Sequence, residues 1–486
     1  MEPRKKIGLF LGPLFFLAAY LSPLLKENPA AHRLLAIFLL IVVWWVTECI
    51  PIPVTALLVP VFITVFRVAP VKDAFAPFAN PIIMLFLGSF ILAKAMSVHA
   101  LDQKLAYSIL SLKSIAHKRS RILFAFGVTT VFLSMWISNT ATTAMMYPIA
   151  LGILSTVNSR NKENSPFGLI LLLMTAYSAS VGGIGTPIGS PPNLIAIGML
   201  EKLAAYRVTF FQWMIISLLI LIPMFLGLFL FMKFRMGKEK IPPHLRKMSS
   251  SAKKSVPKGL TRPQKNVLFA FSVTVFLWII PGLISLILGR EAHFSLWLQE
   301  HFPESIAAII GASLLFLLPV NFKQGRFTLS LKEALRIDWG TLLLFGGGLS
   351  LGFQMFETGL ADSIGRFFIS PGTSANLSLV TFLSITLSVF LTEVTSNTAS
   401  ANMIIPIIIA ISKAASISPL APVLGSAIGC SFAFMLPVAT PPNAIIFGSR
   451  LVPLTKMIKY GFWLNIIGII IIWIGIRLLA PFLGLI

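Results

Sequence analysis

Two apolar stretches, WISNTATTAMMYPIA (136–150) and VTSNTASANMIIPII (394–408), each spell Ser-Asn-Thr and place a Pro (Pro148, Pro406) at the same distance beyond it. Asn and Ser compete with helical hydrogen bonding and are costly in hydrocarbon. Their oxygens suit a hard monovalent cation such as sodium, because hard cations prefer oxygen ligands. Their donors, with the free N–H groups and partial positive charge of a helix starting there, suit an anion. Neither stretch contains Lys, Arg or His. An anion held by such neutral groups needs charge compensation, which co-bound cations supply. Two equivalent tips facing each other suit a substrate with two anionic ends.

A second pair of motifs completes the set. PIGSPPN (187–193) answers PVATPPN (437–443) inside otherwise apolar sequence. Paired prolines remove two backbone donors and break a helix, and GGIGTPIG (182–189) adds glycines that permit unusual backbone angles. The expectation is a discontinuous helix with free carbonyls and a fresh helix N-terminus. Such backbone is tolerated at membrane depth only where it is buried in protein or lines a cavity.

The elements that must position these motifs are membrane helices. The chain has 486 residues, 56 % hydrophobic and 11 % charged, with a mean hydropathy of +0.89. Runs such as MIISLLILIPMFLGLFLFM (214–232) recur end to end, which marks a polytopic membrane protein rather than a soluble core. Cys49 and Cys430 sit in apolar segments and read as small buried hydrophobes, with no disulfide framework. The net charge of +23 does not indicate nucleic acid, because eleven of the 39 Lys and Arg crowd into 233–265 and others into 4–6, 113–121 and 321–336. That is the distribution of cytoplasmic loops at helix ends, with anionic lipid as a secondary partner. The first 25 residues read as an uncleaved first helix with its N-terminus inside.

Helices are expected near 7–25, 34–51, 54–66, 81–97, 166–200, 208–232, 266–289, 305–320, 340–356, 420–449 and 461–482. If 122–157 and 377–414 are re-entrant hairpins, 28 Lys and Arg fall inside and ten outside; making either a simple span destroys that bias. The C-terminus then lies outside. LSMWISNTATTAMMYPIA (133–150) matches LTEVTSNTASANMIIPII (391–408) at 8 of 18 positions, offset by 258 residues (139 to 397). FLGSFILAKAM (86–96) and FGGGLSLGFQM (345–355) correspond at an offset of 259 (86 to 345). Three blocks in one order indicate duplication. One hairpin opens from each side, so the repeats have inverted topology, which places a transporter's site at the repeat interface near the midplane. The fold class expected is therefore an all-α polytopic membrane protein with about eleven transmembrane helices, two re-entrant hairpins and discontinuous helices at the midplane. Its divisions are a first helix (1–33), repeat 1 (34–236), a basic cytoplasmic linker (237–265) and repeat 2 (266–486). The first repeat contains hairpin 122–157 and broken helix 166–200; the second contains hairpin 377–414 and broken helix 420–449.

This pattern resembles the divalent anion:sodium symporter family of dicarboxylate, citrate and sulfate carriers over nearly the whole chain. The resemblance implies one sodium site from Ser134, Ser138, Asn139 and the backbone at Gly189. A second would use Thr392, Thr395, Asn397 and the backbone at Ala439, where the backbone can serve at Thr395. The substrate would be held by Asn139, Thr140, Ser190, Asn397, Thr398 and Pro441. It further implies two or more coupled sodium ions, a homodimer, an elevator motion and residence in a bacterial inner membrane. Succinate, malate and fumarate fit two matched tips best; citrate, sulfate and sodium-independent exchange stay open.

An enzyme is not expected. Among His, Lys and Asp there is no partner set for a nucleophile at membrane depth, and no Walker-type Gly-Lys-Ser/Thr stretch occurs. A channel needs a continuous pore, which broken repeats do not favour. Glu393, Glu48 and Lys94 lie in apolar runs and are functional candidates, against the plainer reading of pairing or snorkelling. The topology is checked by a Cys introduced at Ser250: an impermeant thiol reagent applied to intact cells should leave it unlabelled, and labelling from outside would reverse the assignment.

Overall fold

The computed structural model describes residues 3–25, 27–110, 118–157, 166–236, 259–289, 291–368 and 376–479. Most of the basic linker, 237–258, lies outside the described residues. Among the described residues the regular structure is helical apart from one small antiparallel pairing of Pro319–Asn321 with Arg326–Phe327. Among the described residues, seven helices are long and apolar enough to cross a bilayer, and His293–His301 with Glu304–Leu317, bent by 52°, would make an eighth crossing as one span. Ile52–Val65 and Leu420–Gly429 are apolar but shorter.

Local sequence explains where the long spans start. Thr209 with Gln212 and Thr261 with Gln264 form reciprocal capping boxes that open Phe210–Arg235 and Arg262–Leu288. Glu48, an intramembrane candidate by sequence, instead ends the helix Pro29–Thr47 in a left-handed conformation (φ 50°), its N–H donating to Trp44 O. Both cysteines are free and buried.

Two expected hairpins are present as helix–turn–helix units: Arg119–Ser134 with Asn139–Val157, and Leu377–Val394 with Asn397–Ala414. Both expected broken helices are present too. Pro166–Gly183 stops and resumes at Pro191–Ala204; Leu420–Gly429 stops and resumes at Pro441–Phe447. The short helices Leu101–Leu110 and Leu360–Phe368 were not expected, because each carries charges that interrupt the apolar pattern.

The two halves interlock. Each first hairpin arm packs on the first part of its own broken helix, 119–134 on 166–183 and 377–394 on 420–429. Each second arm crosses to the other half, 139–157 against 441–447 and 397–414 against 191–204. Pro166–Gly183 is 89 % buried over its apolar window, against 22 % for Arg262–Leu288, so the first is surrounded by protein and the second lies at the periphery. Around this body, 81–98 packs on 304–317 and 339–357 packs on 52–65.

The last contact depends on glycine. A Cβ at Gly347 would lie 2.4 Å from Ala56 O, a main-chain atom that cannot step aside. Overpacking of this kind costs about 1–3 kcal/mol. Gly347→Ala should therefore lower the melting temperature of the purified protein in a thermal unfolding scan; an unchanged or raised value would mean the helices separate freely.

Candidate functional site

The first tip is built by the turn between 119–134 and 139–157. Ser134 is fully buried, and its Oγ lies 2.8 Å from both Asn139 Oδ1 and Ala179 O. The second tip repeats this arrangement. Thr392 Oγ1 lies 2.7 Å from Asn397 Oδ1 and 2.8 Å from Cys430 O. Ser138 and Ser396 cap the second arms, accepting from Ala141 N at 3.3 Å and Ala399 N at 3.2 Å. A hydroxyl, an amide oxygen and a carbonyl thus meet twice, with no charge among them.

The breaks beside the tips are braced by the Asn of each Pro-Pro-Asn. Asn193 Nδ2 donates to Gly183 O (2.9 Å) and Thr186 O (2.8 Å); Asn443 Nδ2 donates to Ala433 O (2.9 Å) and Leu436 O (3.0 Å). Gly189 N and Ala439 N turn back on Thr186 O and Leu436 O, both at 3.3 Å. A Cβ at Gly189 would lie 2.6 Å from Gly183 O and 3.0 Å from both Ser134 O and Met135 O, so three carbonyls converge where the family resemblance implies a cation-binding backbone. Neutral oxygens in that number fit sodium. Among the described residues no cluster of His, Cys, Asp and Glu could hold a transition metal.

All six expected substrate residues, Asn139, Thr140, Ser190, Asn397, Thr398 and Pro441, line one cavity of about 630 Å³. Of the expected cation ligands, Ser138, Asn139, Gly189, Asn397 and Ala439 also line it, whereas Ser134 and Thr392 lie behind it, fully buried. Thr395 is turned away: its Oγ1 donates to Trp45 O at 3.3 Å. Ser190 Oγ sits 2.9 Å from Ser431 Oγ, joining the two halves at the cavity wall.

Several residues of the site escaped the sequence reading. Tyr177 OH donates to Phe434 O at 2.7 Å, across the repeats. Trp213 Nε1 donates to Ile184 O at 2.9 Å and Ser217 Oγ to Gly185 O at 3.1 Å, tying the first break to the next span. Asn465, isolated in an apolar run, was the one such residue whose sequence setting signalled a buried role.

Asn465 serves Glu393. The Glu393 carboxylate accepts from Phe434 N and Met435 N at 2.8 Å, from Leu436 N at 3.1 Å, and from Asn465 Nδ2 at 2.7 Å. Four donors on one buried carboxylate make it the clamp that holds the second break open. The first half has Met135 at this position, and its carbonyl accepts from Thr186 Oγ1 instead.

A helical membrane protein with paired hairpins, paired helix breaks and one cavity between them has the architecture of a secondary transporter. Residues 9–486 match the family model described as the sodium:sulfate symporter transmembrane region. The chain belongs to that family, the divalent anion:sodium symporters. Among its relatives is the sodium-dependent dicarboxylate transporter SdcS of Staphylococcus saprophyticus, 35 % identical over 98 % of this chain and 91 % of the relative. SdcS of Staphylococcus aureus is also 35 % identical with the same coverage. An uncharacterized transporter of Haemophilus influenzae is 36 % identical over 94 % of this chain and 93 % of its own length. In structure the chain is similar to the Alcanivorax borkumensis YdaH transporter, with a TM-score of 0.55, 13 % identity, and coverage of 99 % and 98 % of the two chains. It is also similar to Neisseria gonorrhoeae MtrF, with a TM-score of 0.55, 15 % identity, and coverage of 86 % and 83 %. At these identities the two structures speak for the fold alone.

The Glu393 clamp has a direct test. Glutamine offers one acceptor and one donor group, so Glu393→Gln would face a backbone N–H with its own amide and strand a buried donor, costing about 1–3 kcal/mol. The variant should lose at least tenfold in transport rate and melt at a lower temperature. Normal stability with lost transport would point instead to a coupling role for the charge.

Proposed function

We propose that the protein is a sodium-coupled symporter of C4-dicarboxylates such as succinate, malate and fumarate. The observation that carries this reading is the meeting of two Ser-Asn-Thr tips, with their six expected substrate residues, around one cavity whose tips hold no cationic side chain. One carboxylate of the substrate is held at each tip by Asn139 and Thr140 or by Asn397 and Thr398. Sodium ions in the Ser134/Ser138/Asn139/Gly189 and Thr392/Asn397/Ala439 cages supply the countercharge. The name of the SdcS relatives supports the same pairing of ion and substrate.

Two cages supply two charges, and the family resemblance favours more than two sodium ions per dianion, so transport is electrogenic. Alternating access moves the hairpins and broken helices, which pack on one another, as an elevator against the surrounding helices within a homodimer. The repeats have inverted topology in the bacterial inner membrane, with the N-terminus in the cytoplasm and the C-terminus outside. Sodium raises substrate affinity, and substrate raises sodium affinity by the same factor, because binding linkage is reciprocal.

Labelled-succinate uptake into proteoliposomes tests the reading. Uptake should need an inward sodium gradient and be blocked by malate and fumarate more than by citrate or sulfate. Asn139→Ala and Asn397→Ala should each abolish it without loss of folding, and Ser134→Ala and Thr392→Ala should weaken sodium dependence more than substrate preference. Full-rate succinate exchange in sodium-free choline buffer would replace symport with sodium-independent exchange.

A further inference from the structure

The two Pro-Pro-Asn breaks differ in what their first hydroxyl does. Thr440 opens helix Pro441–Phe447, and its Oγ1 accepts from Asn443 N at 3.3 Å, the usual bond of a helix N-cap. Ser190 opens helix Pro191–Ala204 from nearly the same backbone, φ −143° and ψ 136° against −142° and 147°, yet its side chain makes no capping bond. Its Oγ lies 2.9 Å from Ser431 Oγ instead, 241 residues away. Serine is among the best N-cap residues, and the backbone permits the cap. The hydroxyl has been drawn across the repeats.

The second break places Ser431 to do this. It follows Cys430, whose carbonyl accepts from Thr392 Oγ1 at 2.8 Å, and its own N–H donates to Ile428 O at 3.0 Å. Ser190 is 1 % exposed and Ser431 0 % exposed. Ser190 lines the cavity, whereas Ser431 does not. Matching Ser134 with Thr392 and Ala179 O with Cys430 O makes Ser180 the counterpart of Ser431. The Ser180 hydroxyl is buried and makes no hydrogen bond among the described residues. The bridge is therefore built on one side only, at the residue expected to hold substrate.

Hydroxyl chemistry gives this pairing a use. A serine hydroxyl has one proton to donate and two lone pairs to accept with. In the cavity a carboxylate can only accept, so Ser190 gives it the proton and takes the Ser431 proton in return. Hydrogen bonds in such a chain polarise one another, and those to an ionised acceptor are the stronger class. No proton changes owner; only the two hydroxyls turn.

We propose that Ser431 is a positioning residue for substrate, which holds the Ser190 hydroxyl off its own helix cap and ready to donate to a carboxylate. Ser431 itself touches no substrate and acts through Ser190. The proposal rests on the dicarboxylate-transport reading above and on the place of Ser190 in it.

The test measures succinate KM and kcat in proteoliposomes for the wild type, Ser190→Ala, Ser431→Ala and the double variant. Ser431→Ala should raise KM about tenfold, the low end for a hydrogen bond to a charged group. Its kcat should stay near the wild-type value, the sign of lost binding. The double variant should be no worse than Ser190→Ala alone, because a residue acting through another adds nothing once that other is gone. Ser431→Cys fills the same space but donates weakly, so its KM should rise as it does with alanine. The ligand-free melting temperature of Ser431→Ala should stay near that of the wild type, since Ser190 can then cap its helix as Thr440 does. A loss that adds to that of Ser190→Ala, or that Ser431→Cys restores, would make Ser431 a packing residue and overturn the proposal. A wild type that carries no dicarboxylate overturns both readings. One that carries it, with KM unchanged in Ser431→Ala, overturns the positioning role alone.

Discussion

The structure depends on two interruptions of helical hydrogen bonding inside apolar sequence. An unsatisfied backbone group costs several kcal/mol in hydrocarbon, so a break survives there only if every freed group finds a partner. The same device supplies those partners twice: Asn193 spans the first break and Asn443 the second, each donating to two carbonyls. Ser134 and Thr392 take one further carbonyl each, from Ala179 and Cys430. Prolines make the breaks, and asparagines make them tolerable.

What the braces leave over defines the site. Once the breaks are held, Asn139 and Asn397 reach the cavity with their oxygens against the buried hydroxyls of Ser134 and Thr392, and carbonyls converge behind them around Gly189 and at Cys430. Charge is kept out of both tips and placed elsewhere, in the Glu393 clamp behind the second tip and in Lys94, Arg336 and Asp338 farther along the cavity wall. Neutral, oxygen-bearing tips cannot retain a dianion by themselves at low dielectric. On the symport reading this is why ion and substrate must arrive together.

Much of this was legible because the decisive signals are local. The hairpins expected at 122–157 and 377–414 occur as 119–157 and 377–414, since each is an apolar run interrupted by one polar turn. Both broken helices follow from Pro-Pro-Asn. The short helices 101–110, 293–301 and 360–368 were not legible, because their charges blur the apolar pattern that marks a crossing. Nor were the ties that join the halves. Tyr177 reaches Phe434 and Ser190 reaches Ser431 across more than two hundred residues, and no periodicity announces either pairing. Thr395 shows the opposite limit: its type suited a cation ligand, but its hydroxyl is drawn to Trp45 O by a helix the motif does not contain.

The two halves also separate what a ligand would need from what a break needs. The hydroxyl–amide–carbonyl triplet and the Asn brace are alike in both, with matching partners and closely similar distances. The outer bracing is not. In the first half the break presents carbonyls, and donors close on them, Trp213 on Ile184 O and Ser217 on Gly185 O, while the break's own Thr186 donates to Met135 O of the tip. In the second half the break presents N–H groups, and the acceptor Glu393 closes on Phe434, Met435 and Leu436. Either chemistry satisfies a broken helix, so the bracing is free to differ between the two halves. The oxygen triplet had no such freedom if both tips must grip the same kind of ion and the same kind of carboxylate. Sameness at the tips and difference behind them is the pattern expected of one binding task performed twice by two differently supported scaffolds.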